Sequence, residues 1–398
     1  MKLIGDEIMK KKNFVYMDNA STTFISKSAL KELNRCYDDI NNGNASSQHS
    51  LGRMADGILY VSKVNIAGLI GCDTNNIIFT SGSTEGNNLA IIGAAKRGMS
   101  KPVPRNRIIT TRIEHPSVFN TFVGLERDFD VQFVGVDHSG IINLDDLREK
   151  INENTSLVSV MLVNNEVGSI QPIKKISEIC KKYGCLLHVD ATQAVNSIKI
   201  NVDELGVDFL TVSAHKFHGP KGVGFLYVRN RDDLWQVIRG GEQEFSLRPG
   251  TYNIPAISAM SVAFVEAQKN IDENKQFELA NYFWSELNKN FDKVKLFGPK
   301  ILPYSQRVFN IVNISFDGMN GEFMVAILDT YGVEVGSGSA CSGNGETPSM
   351  VLMAMGYEYD QCFKGVRFSF SNQTTTKEID YVIKCLKEVH KTLQLTEV

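Results

Sequence analysis

His188-Val189-Asp190-Ala191-Thr192-Gln193, followed after a second apolar run by Ser213-Ala214-His215-Lys216, is the stretch on which the reading of this chain turns. Asp190 follows Leu186-Leu187-His188-Val189, and Lys216 comes shortly after Phe209-Leu210-Thr211-Val212. Both runs read as buried strands, and a parallel sheet delivers functional side chains at the carboxyl ends of its strands. A carboxylate, an amide, an imidazole and an amine are thereby gathered at one sheet edge. An amine in that place suggests a Schiff base.

The chemistry fits pyridoxal 5′-phosphate (PLP). A lysine holds the aldehyde as an imine, and a carboxylate keeps the pyridine nitrogen protonated so that the ring accepts electrons. At ~4 Å and an effective dielectric near 20 one opposite charge supplies about 4 kcal/mol, or about three pKa units, enough to fix the pyridinium. For either residue alone the competing reading is an α/β protein in which Asp190 caps a turn and Lys216 is a solvated surface lysine.

The surrounding pattern is strand-helix alternation from about 77 to 228. Ile77-Ile78-Phe79-Thr80 reads as a strand, Ser81-Gly82-Ser83-Thr84-Glu85-Gly86 as a small-residue loop, and 87–96 as a helix stopped by Gly98. Such a loop opening a helix is an anion site, because free N–H groups and the helix dipole favour phosphate; an ordinary N-capped helix is the alternative. A strand over 107–112 leads to His115 and to Pro116 at the start of a helix. The run 157–163 is a buried strand ending in Asn164-Asn165-Glu166, and a helix over 172–182, stopped by Gly184, returns the chain to the Asp190 strand. One βαβ unit makes these strands parallel. Residues 240–251 form a loop-rich stretch, and a long helical pattern over 257–291 breaks the alternation and marks the domain boundary. Beyond it the pattern predicts a strand over 307–316, a helix over 321–331, a strand over 366–370, and a closing helix with the capping box Thr375 to Glu378.

With 398 residues, 42% of them hydrophobic and 22% charged, the chain is long enough for two domains of a soluble globular protein. A net charge of -3 gives no electrostatic case for nucleic acid or an anionic membrane. No apolar run reaches the ~18 residues of a membrane span, and the N-terminus lacks a signal-peptide core, so a cytoplasmic protein is expected. Seven cysteines without CxxC pairs argue against a disulfide framework or a metal ribbon. Cys180 and Cys185 read as packing residues. Cys341 lies in Gly336-Ser-Gly-Ser-Ala-Cys-Ser-Gly-Asn-Gly345, too small and polar for a core and flexible enough to move.

Taken together, Tyr16-Met-Asp-Asn-Ala-Ser-Thr-Thr23, Thr80-Ser-Gly-Ser-Thr-Glu-Gly-Asn-Asn88, Val163-Asn-Asn-Glu-Val-Gly168, the Asp190 and Lys216 stretches, Arg248-Pro-Gly-Thr251 and Ser337-Gly-Ser-Ala-Cys341 resemble the cysteine desulfurases over nearly the whole chain. These are class V aminotransferase-like PLP enzymes of fold type I. The resemblance implies a large domain, 17–256, with a mostly parallel seven-stranded sheet, and a smaller α+β domain formed by 1–16 and 257–398 that carries the Cys341 loop. It implies that Lys216 binds PLP covalently, Asp190 pairs with the pyridinium, His115 stacks on the ring, and Gln193 bonds the phenolic oxygen with Asn165 nearby. Ser83, Thr84, Ser213 and His215 would hold the phosphate, and Thr251 would reach that of the partner subunit, making a homodimer. Arg367 looks like the clamp for the carboxylate of L-cysteine.

Cys341 would take the substrate sulfur as a persulfide, leaving alanine, for delivery to a sulfur-acceptor protein; the spacing from Cys341 to Pro348-Ser349 resembles the branch with the longer loop and direct transfer. Ala45 stands in place of a frequent proline, and Ala214 in place of a frequent glycine. The chain also ends without the acidic tail of members dedicated to iron-sulfur assembly, which leaves thiolation pathways open. Another PLP enzyme, an aminotransferase or β-lyase with Cys341 incidental, and a non-catalytic interaction subunit are the competing readings; the conjunction of Lys216, Asp190, His115 and Cys341 speaks against the second.

Overall fold

The computed structural model describes residues 14–40, 43–337 and 347–394. Its first strand, β1 (Val15–Tyr16), precedes seven that build the larger sheet: β2 (Ile77–Thr80), β3 (Arg107–Thr111), β4 (Asp130–Val134), β5 (Thr155–Met161), β6 (Leu186–Asp190), β7 (Phe209–Ser213) and β8 (Gly224–Val228). They lie in the order β2-β8-β7-β6-β5-β3-β4. All neighbours are parallel except β8, which runs antiparallel to both β2 and β7. The β-branched and apolar runs that make β5 to β8 are buried almost throughout, as a sheet covered on both faces requires. Met161, Asp190 and Thr211 stand side by side in register, so the carboxyl ends of three central strands finish at one edge.

The helix that follows β2 runs Ser83–Met99. It is longer than the 87–96 expected, and Gly98 is inside it rather than its stop. The reason is packing. A Cβ on Gly98 would lie 2.5 Å from the Ser156 Cβ and 3.0 Å from the Arg105 carbonyl, so glycine is there to let the helix approach the sheet. By contrast Gly184, at φ 61°, does end the helix Ile173–Tyr183.

The second sheet contains β9 (Val294–Phe297), β10 (Ile311–Phe316), β12 (Gly336–Ser337) and β13 (Val366–Ser369), antiparallel in the order β12-β13-β10-β9, while β1 pairs in parallel with β11 (Val333–Glu334). The closing helix Thr376–Gln394 opens with the expected capping box: Glu378 accepts from the Thr375 N–H, and Thr375 Oγ1 accepts from that of Glu378. The strand expected from 307 begins only at Ile311. Arg307 is fully buried; its guanidinium donates to the carbonyls of Pro299, Val308 and Ile311, and its backbone bridges Ser169 instead of joining the sheet.

The helical pattern over 257–291 is two helices, Ile254–Lys269 and Glu273–Asn290. Asp272 separates them by accepting the Lys275 N–H as N-cap. The boundary expected at 257 falls inside the first helix, whose Ile257, Met260, Ala263 and Phe264 join the larger core with Ile66 and Phe225. The second helix supplies Leu279, Phe283 and Leu287 to the core of the smaller sheet. The change of core therefore comes after Lys269.

Candidate active site

A cavity of about 410 Å³ opens at the carboxyl edge of the larger sheet. Lys216, Asp190, His115, Asn165, Gln193, Ser83, Thr84, His215 and Arg367 all line it. Sequence reasoning named each of them.

Asp190 terminates β6, where the strand's own hydrogen bonding leaves its side chain to be held by others. Asn87 Nδ2 donates to Oδ2 at 2.8 Å, and the Thr192 N–H donates to Oδ1 at 3.0 Å. These bonds aim the carboxyl into the cavity. Lys216 sits in the single turn after β7, its ammonium donating to the carbonyls of Ala20 at 2.6 Å and Ser21 at 2.7 Å. Gln193 Nε2 takes the same Ala20 carbonyl at 2.8 Å. The segment around residue 20 thus forms one wall.

His115 is the N-cap of the helix Pro116–Leu125 rather than a strand end; its Nδ1 accepts the Ser117 N–H at 3.1 Å. Burial pushes its pKa down, with nearby Asp190 opposing and Lys216 adding to the effect, so the ring is neutral. Burial likewise holds His215 at about 4, helped by the charges of Lys216 and Lys221. Beneath the site His188 is fully buried between the hydroxyls of Ser159 (2.7 Å) and Thr211 (3.0 Å), and burial lowers its pKa to about 4 against the pull of Asp190.

At the anion end the Ser83–Met99 helix begins on Gly82, whose φ of 150° is a glycine conformation and whose missing side chain leaves room for Ser213 Oγ, 3.3 Å from where a Cβ would stand. Ser213 is buried beneath this turn and does not line the cavity. Thr251 is exposed and away from the cavity of its own chain. Its loop is tied to the same helix start by Arg248, which pairs with Glu85 at 2.7 Å.

The opposite end belongs to the smaller sheet. Arg367 on β13 is buried; Nη1 donates to the Asn165 carbonyl at 3.0 Å, and Nη2 to Asp18 Oδ1 at 2.9 Å and Ser21 Oγ at 2.6 Å. Its Nε and the Asn165 Oδ1 are buried with no hydrogen-bond partner among the described residues, as is Thr192 Oγ1. Buried polar atoms without partners point to a ligand that satisfies them. Ser337 also lines the cavity and is the last described residue before 338–346, so Cys341 lies outside the described residues.

Sequence reasoning missed Asn87, Asp18, Ser21 and Thr192 as site residues. An Asn at the fifth position of a helix that opens on Gly82 was the available signal for Asn87; Asp18 and Ser21 fell within a recognised stretch but were given no task. Glu114 was also missed. It is buried beside the site, accepts from Thr111 Oγ1 at 2.7 Å, and is pushed up to about 8 by burial.

An aldehyde-binding amine, a deep carboxylate and a glycine-opened helix at one sheet edge fit PLP, and they define a PLP enzyme of fold type I. Residues 15–382 match the family model for class-V aminotransferases. Among curated relatives, the cysteine desulfurase IscS of Dictyoglomus turgidum is 38% identical over 388 residues, 96% of each chain. A solved NifS-like protein superposes with a TM-score of 0.87 at 33% identity, covering 95% of this chain and all of that one. A structure described as SspA in complex with cysteine gives 0.78 at 30% identity over 91% of this chain and all of that one. The chain belongs to the class-V aminotransferase family, among its cysteine desulfurases, and its cofactor is PLP.

Proposed function

We propose that the protein converts L-cysteine to L-alanine and leaves the sulfur as a persulfide on Cys341. The observation that carries this is the joint lining of one cavity by Lys216, Asp190, Arg367 and Ser337, four residues before Cys341. Four residues of chain reach about 14 Å at most, which brings Cys341 within range of the cavity.

PLP, when bound, supplies the aldehyde for Lys216 and the electron sink for the substrate Cα. Asp190 would hold a proton at the ring nitrogen, His115 would cover a ring face, and Gln193 and Asn165 would hold the phenolic oxygen. Ser83, Thr84 and His215 would hold the phosphate, with Ser213 supporting the Gly82 turn from beneath. Arg367, with Nε free for another acceptor, holds the substrate carboxylate. Lys216 takes the Cα proton and is the group that carries it afterwards. The Cys341 thiolate attacks the cysteine sulfur; the S–S bond forms as the C–S bond breaks, the electron pair stays with carbon, and a proton completes alanine.

Thr251 serves the phosphate of a second copy, in a homodimer, and the Arg248–Glu85 pair fixes the loop that presents it. The larger domain extends to Lys269 and the smaller takes the remainder with β1. No helix among the described residues is long and apolar enough to cross a membrane, and we place the enzyme in the cytosol, passing sulfur to an acceptor protein. Product analysis tests the proposal: alanine equal to cysteine consumed, with no keto acid added, supports it. Pyruvate and ammonia would mean a β-lyase.

A further inference from the structure

We infer that Glu166 is a positioning residue for sulfur abstraction: its carboxyl, bonded to Ser349, ties the cavity wall around Asn165 and Arg367 to the helix that follows the Cys341 segment. The inference rests on the desulfurase reading.

Ser349 Oγ donates to Glu166 Oε2 at 2.5 Å, and both residues are buried. An apolar side chain would fill this place without the several kcal/mol that burying a carboxyl costs, so the contact needs a reason. The turn that carries Glu166 is locked: Asn164 Oδ1 accepts the N–H groups of Glu166 (2.9 Å) and Val167 (3.0 Å), and its Nδ2 donates to the Ile113 carbonyl at 3.0 Å. One residue earlier on the same turn, the Asn165 carbonyl takes Arg367.

Across the contact, Ser349 Oγ accepts the Leu352 N–H at 3.1 Å as N-cap of the helix Met350–Ala354, and the Ser349 N–H donates to the Cys362 carbonyl at 3.0 Å. Two consecutive residues of one rigid turn therefore grip two elements of the smaller sheet's half: Asn165 grips the arginine, and Glu166 grips the point where the chain leaves residues 338–346. A shift at Ser349 is passed to the substrate wall through a single peptide unit. Arg367 and the Cys362 thiol are the other ionisable groups that face Glu166, and neither is its hydrogen-bond partner.

The experiment uses the PLP-loaded full chain and compares E166A, S349A, the double variant and E166Q. Alanine release, KM for cysteine, PLP absorbance and Tm are read for each. E166A and S349A should lose roughly ten- to a hundredfold in kcat, as expected of a misplacement of about 1 Å, with PLP absorbance and KM kept. The double variant should be no slower than either single one. E166Q, which still accepts from Ser349, should recover most of the rate. Wild-type kcat in E166A and S349A would overturn the inference. So would losses that follow PLP content and Tm without rescue by Gln, since these mark a merely structural contact. A wild-type chain that releases no alanine would instead overturn the desulfurase reading, and the inference with it.

Discussion

The two ends of the cavity are built differently. The cofactor end hangs on one sheet, with Asp190 at the tip of β6 and Lys216 one turn beyond the tip of β7, strands that are hydrogen-bonded neighbours. The substrate end is a junction. Arg367 on β13 meets Asp18, 349 residues earlier, and Asn165, 202 residues earlier. The groups proposed to handle protons and charge thus stand on a rigid ladder, whereas Arg367, the proposed carboxylate clamp, depends on how two sheets sit together. Damage to the first should fall on the chemical step and loss of the Arg367 guanidinium itself on substrate capture, whereas a shift of the Cys341 segment through Glu166 should again be felt in the chemical step.

The largest effect is expected at Lys216. Lys216→Ala should lower kcat by about 10³-fold or more, the scale of a lost general base, with the fold retained by circular dichroism. Near-wild-type turnover would mean that the lysine is a surface residue after all. Asp190→Asn should slow the chemical step by about 10²- to 10³-fold while much of the PLP is kept, because a preorganised charge is removed from beside the ring. Measured by pre-steady-state deprotonation, an unchanged rate would reduce Asp190 to a cap for Thr192.

Arg367→Lys sharpens the contrast. Losing one charge-assisted hydrogen bond of about 1.5–3 kcal/mol should raise KM for cysteine about 10- to 100-fold, with a smaller change in kcat. If kcat fell and KM held, the two ends would not divide the work in this way.

The last effect falls on stability rather than turnover and concerns pH. His188 has its folded-state pKa lowered by burial to about 4 from the ordinary 6.5. The unfolded chain binds the extra proton first, so the stability tied to neutral His188 is fully present above about pH 6.5 and is lost as pH falls towards 4. At about 1.4 kcal/mol per unit this amounts to ~3 kcal/mol. Denaturant titrations should therefore show a shallower acid slope for His188→Asn than for the wild type. Equal slopes would remove the buried imidazole from the account.

The same contrast explains what was legible in the sequence. Residues of the cofactor end sit beside apolar strand runs, so Asp190, Lys216 and His115 could be placed from local pattern. Ser83 and Thr84 were equally visible as the opening of a helix. At the junction, Arg367 came only from a family resemblance, and Asp18 and Ser21 gained their tasks only when the segment after β1 was brought against β13. Element limits failed where packing overrode local preference: Gly98 reads as a helix stop until its close approach to Ser156 is seen, and Arg307 reads as strand of the smaller sheet until its backbone bridge to Ser169 is known. A helical pattern cannot show which of two cores claims it, which is why the boundary at 257 fell inside a helix.

The central claim, sulfur transfer to Cys341, is tested most directly by mass measurement of the peptide containing Cys341 after the PLP-loaded protein meets one equivalent of isotopically labelled cysteine, beside Cys341→Ser. The account expects the wild-type peptide to gain one labelled sulfur as alanine appears, and the serine variant to bind cysteine but release no alanine. Alanine and sulfide formed by Cys341→Ser at the wild-type rate, with no sulfur gained by the wild-type peptide, would contradict it.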